Sequence, residues 1–318
     1  MVNLVEMFTM GGPTAMLVVP VGLMAGLFAV VVPLVLGFLK WRVPASLSWL
    51  GMVLTLGLGV AGTLWGMQMA WEAVAVASED IRATLTAAGA SVAMYSTVAA
   101  LVCIAPIAML ACVAGAIPAV AAVGPEPRFD ARGLLVSAGV AVVGGVVALG
   151  TAAAVLGVPG LADSGLAFPL TVVVSAFTTF WCVVASARIA SEDHLHQGRI
   201  AGSRFFVGMT GALAVILVGE TFRAMGLVMA TDAMARASVE VRPVMQAAGF
   251  QVASSGAWLG WILACVPAAT AAGGAMHWVR RVEGRNAIGG VVMAVLFLTL
   301  LALLYAARAA SVLAVTGM

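Results

Sequence analysis

The sequence predicts an all-α protein: a polytopic transmembrane helical bundle of about eight spans, arranged as two parallel four-helix repeats. Three observations predict it. The 318-residue chain is 63% apolar and only 9% charged, with a mean hydropathy of +1.14, whereas soluble domains carry ~25% charged residues. Its apolar residues fall in continuous segments of membrane-crossing length, not in alternating strands. A block from Gly66 to Ala93 also recurs 160 residues later as Gly226 to Ala253. Aligned without a gap, the two blocks share thirteen identities in 28 positions, among them Gly66/Gly226, Ala70/Ala230, Arg82/Arg242, Gly89/Gly249 and Ala93/Ala253. Self-similarity of this kind marks a duplicated membrane unit.

About 20 apolar residues are needed to cross ~30 Å of hydrocarbon at 1.5 Å per residue. The first such segment runs from about 13 to 39 and the second from 45 to 70. The third, 89 to 122, is longer than one crossing requires, so it projects past the membrane or tilts. The fourth and fifth cover 133 to 157 and 165 to 187, and the sixth 204 to 230. The seventh, 248 to 276, matches the third in excess length, and the eighth spans 288 to 315. All eight are expected to be helices, because lipid offers no partner to unpaired backbone groups. Residues 1–160 and 161–318 then form a first and a second, divergent, four-helix repeat. Segments 71–88 and 231–247, rich in alanine and of mixed charge, are expected to be short helices lying at the surface.

Orientation follows from the basic residues. One set of alternate loops holds Lys40, Arg42, Arg128, Arg132, Arg188, Arg199, Arg204, Arg280, Arg281 and Arg285; the other set and the C-terminus hold Arg82, Arg236, Arg242 and Arg308. The positive-inside rule places the first set in the cytoplasm and both termini outside it, with the repeats parallel. A bacterial inner membrane is the expected location. Residues 1–39 contain no Lys or Arg, so the basic n-region of a signal peptide is missing and Met1 is expected to begin the mature protein.

Several function classes find no support. P-loop, dinucleotide fingerprint and hydrolase elbow are absent, and no enzyme activity, cofactor, metal or nucleic-acid partner is expected. Cys103, Cys112, Cys182 and Cys265 fall inside spans without a C-x-x-C pair, and read as buried thiols. His194 and His196 beside Glu192 and Asp193 have the residue types of a metal site, but read first as a solvated cytoplasmic loop. Trp65, Trp71, Trp258, Trp261 and Trp278 read as interface anchors or packing residues.

The chemistry is therefore expected inside the bundle. In the second span Gly62 and Gly66, like Gly57 and Ala61, stand four apart and share a face that a neighbouring helix backbone can approach; Thr63 lies beside that seam. In the third span Gly89, Ala93 and Thr97 stack at spacings of four, and Pro106 is expected to loosen the backbone near mid-helix. Thr63 and Thr97 both lie ~10 to 12 Å below the outer surface at 1.5 Å per residue. Two hydroxyls at one depth are candidates to flank a pore; a lone intramembrane threonine more commonly bonds its own helix carbonyl.

Gly62-Thr63-Leu64-Trp65-Gly66, followed by a short outer segment and then Gly89, Ala93, Thr97 and Pro106, resembles the MotA/TolQ/ExbB proton-channel family, TolQ and ExbB most of all. The resemblance covers residues 45–122 and extends to the second half only through the internal repeat. It implies that Thr63 and Thr97 line a pore, that the chain forms a homo-oligomer, and that ion flow drives a single-span partner whose transmembrane helix carries the titrating aspartate. The chain departs from the family pattern at Val92, where a glutamate is common. It departs also in the short 40–44 insertion, in a fourth helix after the third, and in a literal Ala116-Ile117-Pro118-Ala119 beyond Pro106.

The second repeat diverges at these positions. Arg223 stands at the counterpart of Thr63, Ala257 at that of Thr97, and Glu220 appears near mid-membrane. A carboxylate at a helix centre costs at least ~2.5 kcal/mol on insertion scales, so Glu220 calls for a cavity or a partner. Arg223, three residues on, is placed to supply it. Two readings of the pair stand side by side: a structural ion pair that locks the sixth helix, or a site where Glu220 titrates or meets a transported cation. The function expected first is a proton-channel or stator-like membrane subunit. A secondary transporter or permease with its site near Glu220 and Arg223, and a non-conducting membrane scaffold, are the alternatives.

Overall fold

The computed structural model describes residues 12–38, 47–121, 131–186, 194–238, 240–276 and 285–316. They form eight helices: α1 (Gly12–Phe38), α2 (Leu47–Ala75), α3 (Glu79–Ala121), α4 (Ala131–Asp163), α5 (Ala167–Ser186), α6 (His194–Arg236), α7 (Arg242–Met276) and α8 (Arg285–Thr316). No strand occurs among the described residues. α2 through α8 each contain a stretch long and apolar enough to cross a membrane, and α1 contributes the shorter apolar stretch Met16–Val31. The chain is an all-α polytopic helical bundle.

Two helices are much longer than a bilayer needs. α3 and α6 have 43 residues each, ~64 Å at 1.5 Å per residue, against ~40 to 45 Å for a bilayer with its headgroups. The excess corrects one expectation. Segments 71–88 and 231–247 are not separate surface helices; they are the ends of α2 and α3, and of α6 and α7, continued past the apolar spans to tight turns. Alanine, glutamate and arginine are strong helix formers, so the helices do not stop where hydropathy falls.

The duplication is visible in the geometry. Each of these turns is closed by the same bonds: Ala77 N–H to the Val74 carbonyl and Ile81 N–H to Ser78 in the first, Ala237 N–H to Met234 and Val241 N–H to Ser238 in the second. The Arg82 Nε donates to the Ala77 carbonyl at 3.0 Å, and the Arg242 Nε to that of Ala237 at 3.2 Å. Arg242 also donates to Thr84 Oγ1 at 2.9 Å, tying one hairpin to the other.

Helix crossings repeat in the same register. A Cβ placed on Gly66 would lie 3.0 Å from the Ala93 Cα, and one on Gly226 3.3 Å from that of Ala253; Gly89 meets Ala70 as Gly249 meets Ala230. Small residues here let the backbones of α2 and α3, and of α6 and α7, come together, which in lipid replaces the hydrophobic effect as the source of association.

The halves stand side by side in one core. α1, α2 and α3 pack on one another as α5, α6 and α7 do, and α3 lies along α6. Gly115 of α3 meets Phe206 and Val207 of α6, whereas Cys112 meets Val207 and Gly211. Position falls on α3 as it rises on α6, so these two helices are antiparallel and the repeats run in the same sense. The fourth helices leave their own units: α4 packs on α7 and α5, and α8 packs mainly on α2. Gly157 adopts φ 70° near the end of α4, and Gly165 φ 54° in the turn before α5; both conformations are open to glycine at little cost. Trp49 of α2 stacks on Phe206, lies 5.7 Å from Phe297 of α8 and donates to Thr210 Oγ1 at 3.0 Å, joining α2, α6 and α8.

Candidate functional site

Among the buried polar groups of the described residues, two centres occupy matching positions in the two repeats; Arg204, expected in a loop, is also buried in α6, where its Nε donates to the Ala185 carbonyl at 3.1 Å. The first centre is the threonine pair. Thr63 Oγ1 and Thr97 Oγ1 are 2.7 Å apart, and Thr97 Oγ1 also reaches the Gly59 carbonyl at 3.3 Å; both threonines are buried. They lie at one height, facing each other across the α2–α3 crossing. Neither hydroxyl is satisfied by its own helix; the bonds hold two helices together. Gly59 makes this possible, since a Cβ there would come within 2.5 Å of the Ala100 Cβ and 3.0 Å of the Ser96 oxygen.

The other motif residues sort into two sets. Gly66, Gly89 and Ala93 form the close seam, and Gly62 is buried. Gly57 and Ala61 do not belong to it: a Cβ on Gly57 would meet nothing within 4 Å, and Ala61 is exposed. The stripe on α2 that meets α3 is Gly59, Gly66 and Ala70. Pro106 is exposed and away from the seam, and α3 continues through it as one helix.

The second centre gathers around Glu220, 1% exposed in a helix whose apolar span is mostly buried. One carboxylate oxygen accepts from the Arg223 Nε at 2.6 Å. The other accepts from the Trp261 Nε1 at 3.1 Å and pairs with the Arg308 Nε at 3.3 Å. Both terminal nitrogens of Arg223 donate to Ser311 Oγ at 3.1 Å. The expected Glu220–Arg223 pair is formed, and α7 and α8 complete it.

Two of these partners bear on the expectations drawn from sequence, and a third is new. Arg308, assigned by its position to the outer end of the chain, sits inside α8 and points into the bundle. Of the two roles expected for Trp261, it takes the packing one, and it also donates to Glu220. Ser311 carried no expectation at all. An arginine within an apolar span is the one signal that could have found the set, because such a charge in a membrane helix calls for a partner.

One carboxylate against two guanidinium groups leaves the centre with one excess positive charge. Arg308 is 36% exposed at its side chain and borders an open groove of about 600 Å³ between α6, α7 and α8, whose wall also includes Arg223, Leu227, Phe250, Ala253 and the exposed Tyr305. That volume lies in the ~300 to 1,000 Å³ range of small-molecule sites. The wall is apolar apart from its cationic floor, which suits an anionic group better than a cation.

No group of three or more potential metal ligands occurs among the described residues. Glu192, Asp193 and Trp278 lie outside them, and His194 and His196 belong to the first turn of α6, not to a loop. Cys112 and Cys182 are buried and Cys103 half-buried, but Cys265 is exposed on α7, contrary to expectation. No family model, curated protein or solved structure matches the chain.

Proposed function

We propose that this chain is an integral membrane subunit of a proton-channel or stator-like complex, in which ion flow is coupled to the transmembrane helix of a partner. The observation that carries the reading is the Thr63–Thr97 pair: two hydroxyls at one height, bonded across two helices at 2.7 Å, within the motifs by which residues 45–122 resemble the MotA/TolQ/ExbB family. In this reading copies of the chain assemble in a bacterial inner membrane with both termini outside the cytoplasm. A single-span partner supplies the aspartate that carries the proton. Reconstituted vesicles containing the chain and its co-purified partner, loaded with a pH dye and given a potential, test the proposal. Thr63→Val and Thr97→Val should each slow proton entry at unchanged protein level; wild-type flux in both variants removes the pore assignment.

A second reading is favoured by the open groove beside Arg223 and Arg308. With one excess positive charge on an apolar wall, it suits a permease for a small organic anion. Vesicles containing the chain alone should then accumulate such anions, and Arg308→Gln should abolish the uptake. No accumulation of any anion by the wild type removes this reading.

A further inference from the structure

Helix faces buried in one repeat are bare in the other. On α3, Val98, Ala105 and Cys112 stand seven apart on one side, 0%, 6% and 0% exposed; Cys112 shows that this side faces α6. Their counterparts 160 residues on are Trp258, 51% exposed, with Cys265 and Ala272 also exposed on α7. The same holds for the opposing helix. On α6, Val207, Ala214 and Val218 lie on the side toward α3, 0%, 0% and 7% exposed. The α2 counterparts of Ala214 and Val218, Leu54 and Leu58, are 55% and 39% exposed, and Gly57 between them opens onto empty space.

We infer that copies of this chain join head to tail, α7 of one against α2 of the next, repeating between chains the α3–α6 interface that exists within each chain. The occupant of each bare face is thereby a second copy. An interface whose two sides differ, and whose counterparts remain open at both ends, propagates to further copies. Exposure of leucine to lipid is not itself unfavourable; what favours a second copy is that the duplicated helices have already solved this contact once. α8 and α4 leave the way clear. α8 meets α2 on the Trp49 side, and α4 meets α7 at Val266 and Gly273, not at the bare stripes. The interface names the contact of the oligomer proposed above, but it does not depend on ion conduction.

The exposed thiol of Cys265 supplies the test. Cys112 faces Val207 and the helices are antiparallel, so Ala105 falls opposite residues 214–218; between chains Cys265 therefore falls opposite Leu54 and Leu58. In membranes containing the full chain, Leu58→Cys treated with a copper–phenanthroline oxidant should give a ladder of covalent multimers, and Leu54→Cys serves as a second variant. Adding Cys265→Ala should abolish the ladder, and Val146→Cys, on a bare face of α4, should give none. The inference is overturned if neither variant cross-links while eluting as folded protein, or if Val146→Cys cross-links equally well through random collision. Loss of proton flux in the threonine variants with the ladder intact would bear on conduction alone.

Discussion

Arg223 stands in the second repeat where Thr63 stands in the first, and the two side chains serve different helix pairs. Thr63 bonds across to α3 through Thr97. The guanidinium of Arg223 turns instead to Glu220 on its own helix and to Ser311 on α8. Ala257, at the position of Thr97, is fully buried and offers no hydroxyl. Duplication kept the glycine seam in register while one polar crossing was exchanged for another, so α8 is fastened to the second repeat by charge and to the first by packing.

From the charge count follows an order of damage among three variants. Glu220→Gln leaves two guanidinium groups without a carboxylate and should cost about 3 to 5 kcal/mol, the usual penalty for breaking a buried pair. Arg223→Gln leaves Glu220 with Arg308, one charge of each sign, and should cost less. Arg308→Gln leaves the closer Glu220–Arg223 pair intact and removes the excess charge, so its cost should be the smallest of the three. Thermal unfolding in detergent reads the order directly; Arg308→Gln as the most damaging of the three contradicts it.

Removing either threonine hydroxyl should be mild for stability. Each Thr→Val exchange deletes one partner of a hydrogen bond worth ~0.6 kcal/mol on average within membranes, and Thr63→Val leaves Thr97 its contact with the Gly59 carbonyl. Both variants should therefore unfold within a few degrees of the wild type, which lets a loss of flux be assigned to the hydroxyl. A large drop in unfolding temperature would show that the pair is chiefly a clamp.

Much of this arrangement is legible in the amino-acid sequence, for physical reasons. Lipid forces each long apolar segment into a helix, so the eight elements follow from hydropathy. The common height of Thr63 and Thr97, and the i, i+3 pairing of Glu220 with Arg223, follow from helical rise and periodicity. What stays hidden is what depends on packing between remote segments. Trp261 and Ser311 lie 41 and 88 residues from the groups they bond, and no local pattern announces them. The departure of α4 and α8 from their own repeats is equally silent, because in lipid a helix face carries no hydropathic mark of what it meets. Gly57 and Gly59 illustrate the limit: both are small, both lie on α2, and only the backbone approach of α3 distinguishes them.

The same pair of glycines gives a test of the crossing. Gly59→Val should be strongly destabilising, since its side chain would enter space held by Ala100 and the Ser96 carbonyl, and forced overpacking typically costs ~1 to 3 kcal/mol. Gly57→Val should fold like the wild type, because nothing lies within 4 Å of its Cβ position. Equal damage from both substitutions, measured by unfolding in detergent, would contradict the placement of the seam.

Orientation can be read chemically from the two ends of the bundle. Glu79 begins α3 beside the first hairpin turn, and Arg132 lies near the start of α4; both are exposed. They should sit on opposite sides of the membrane, because α3 crosses the apolar layer between the α2–α3 turn and the segment that leads to α4. In the proposed orientation the Arg132 end, with Arg128 beside it, lies in the cytoplasm, as the positive-inside rule would have it. In intact cells a membrane-impermeant maleimide should therefore label Glu79→Cys and spare Arg132→Cys, with Cys265→Ala as the background to remove the exposed native thiol. Labelling of both from outside would mean that α3 does not span, and labelling of Arg132→Cys alone would invert the bundle, placing both termini in the cytoplasm and the long hairpins with them.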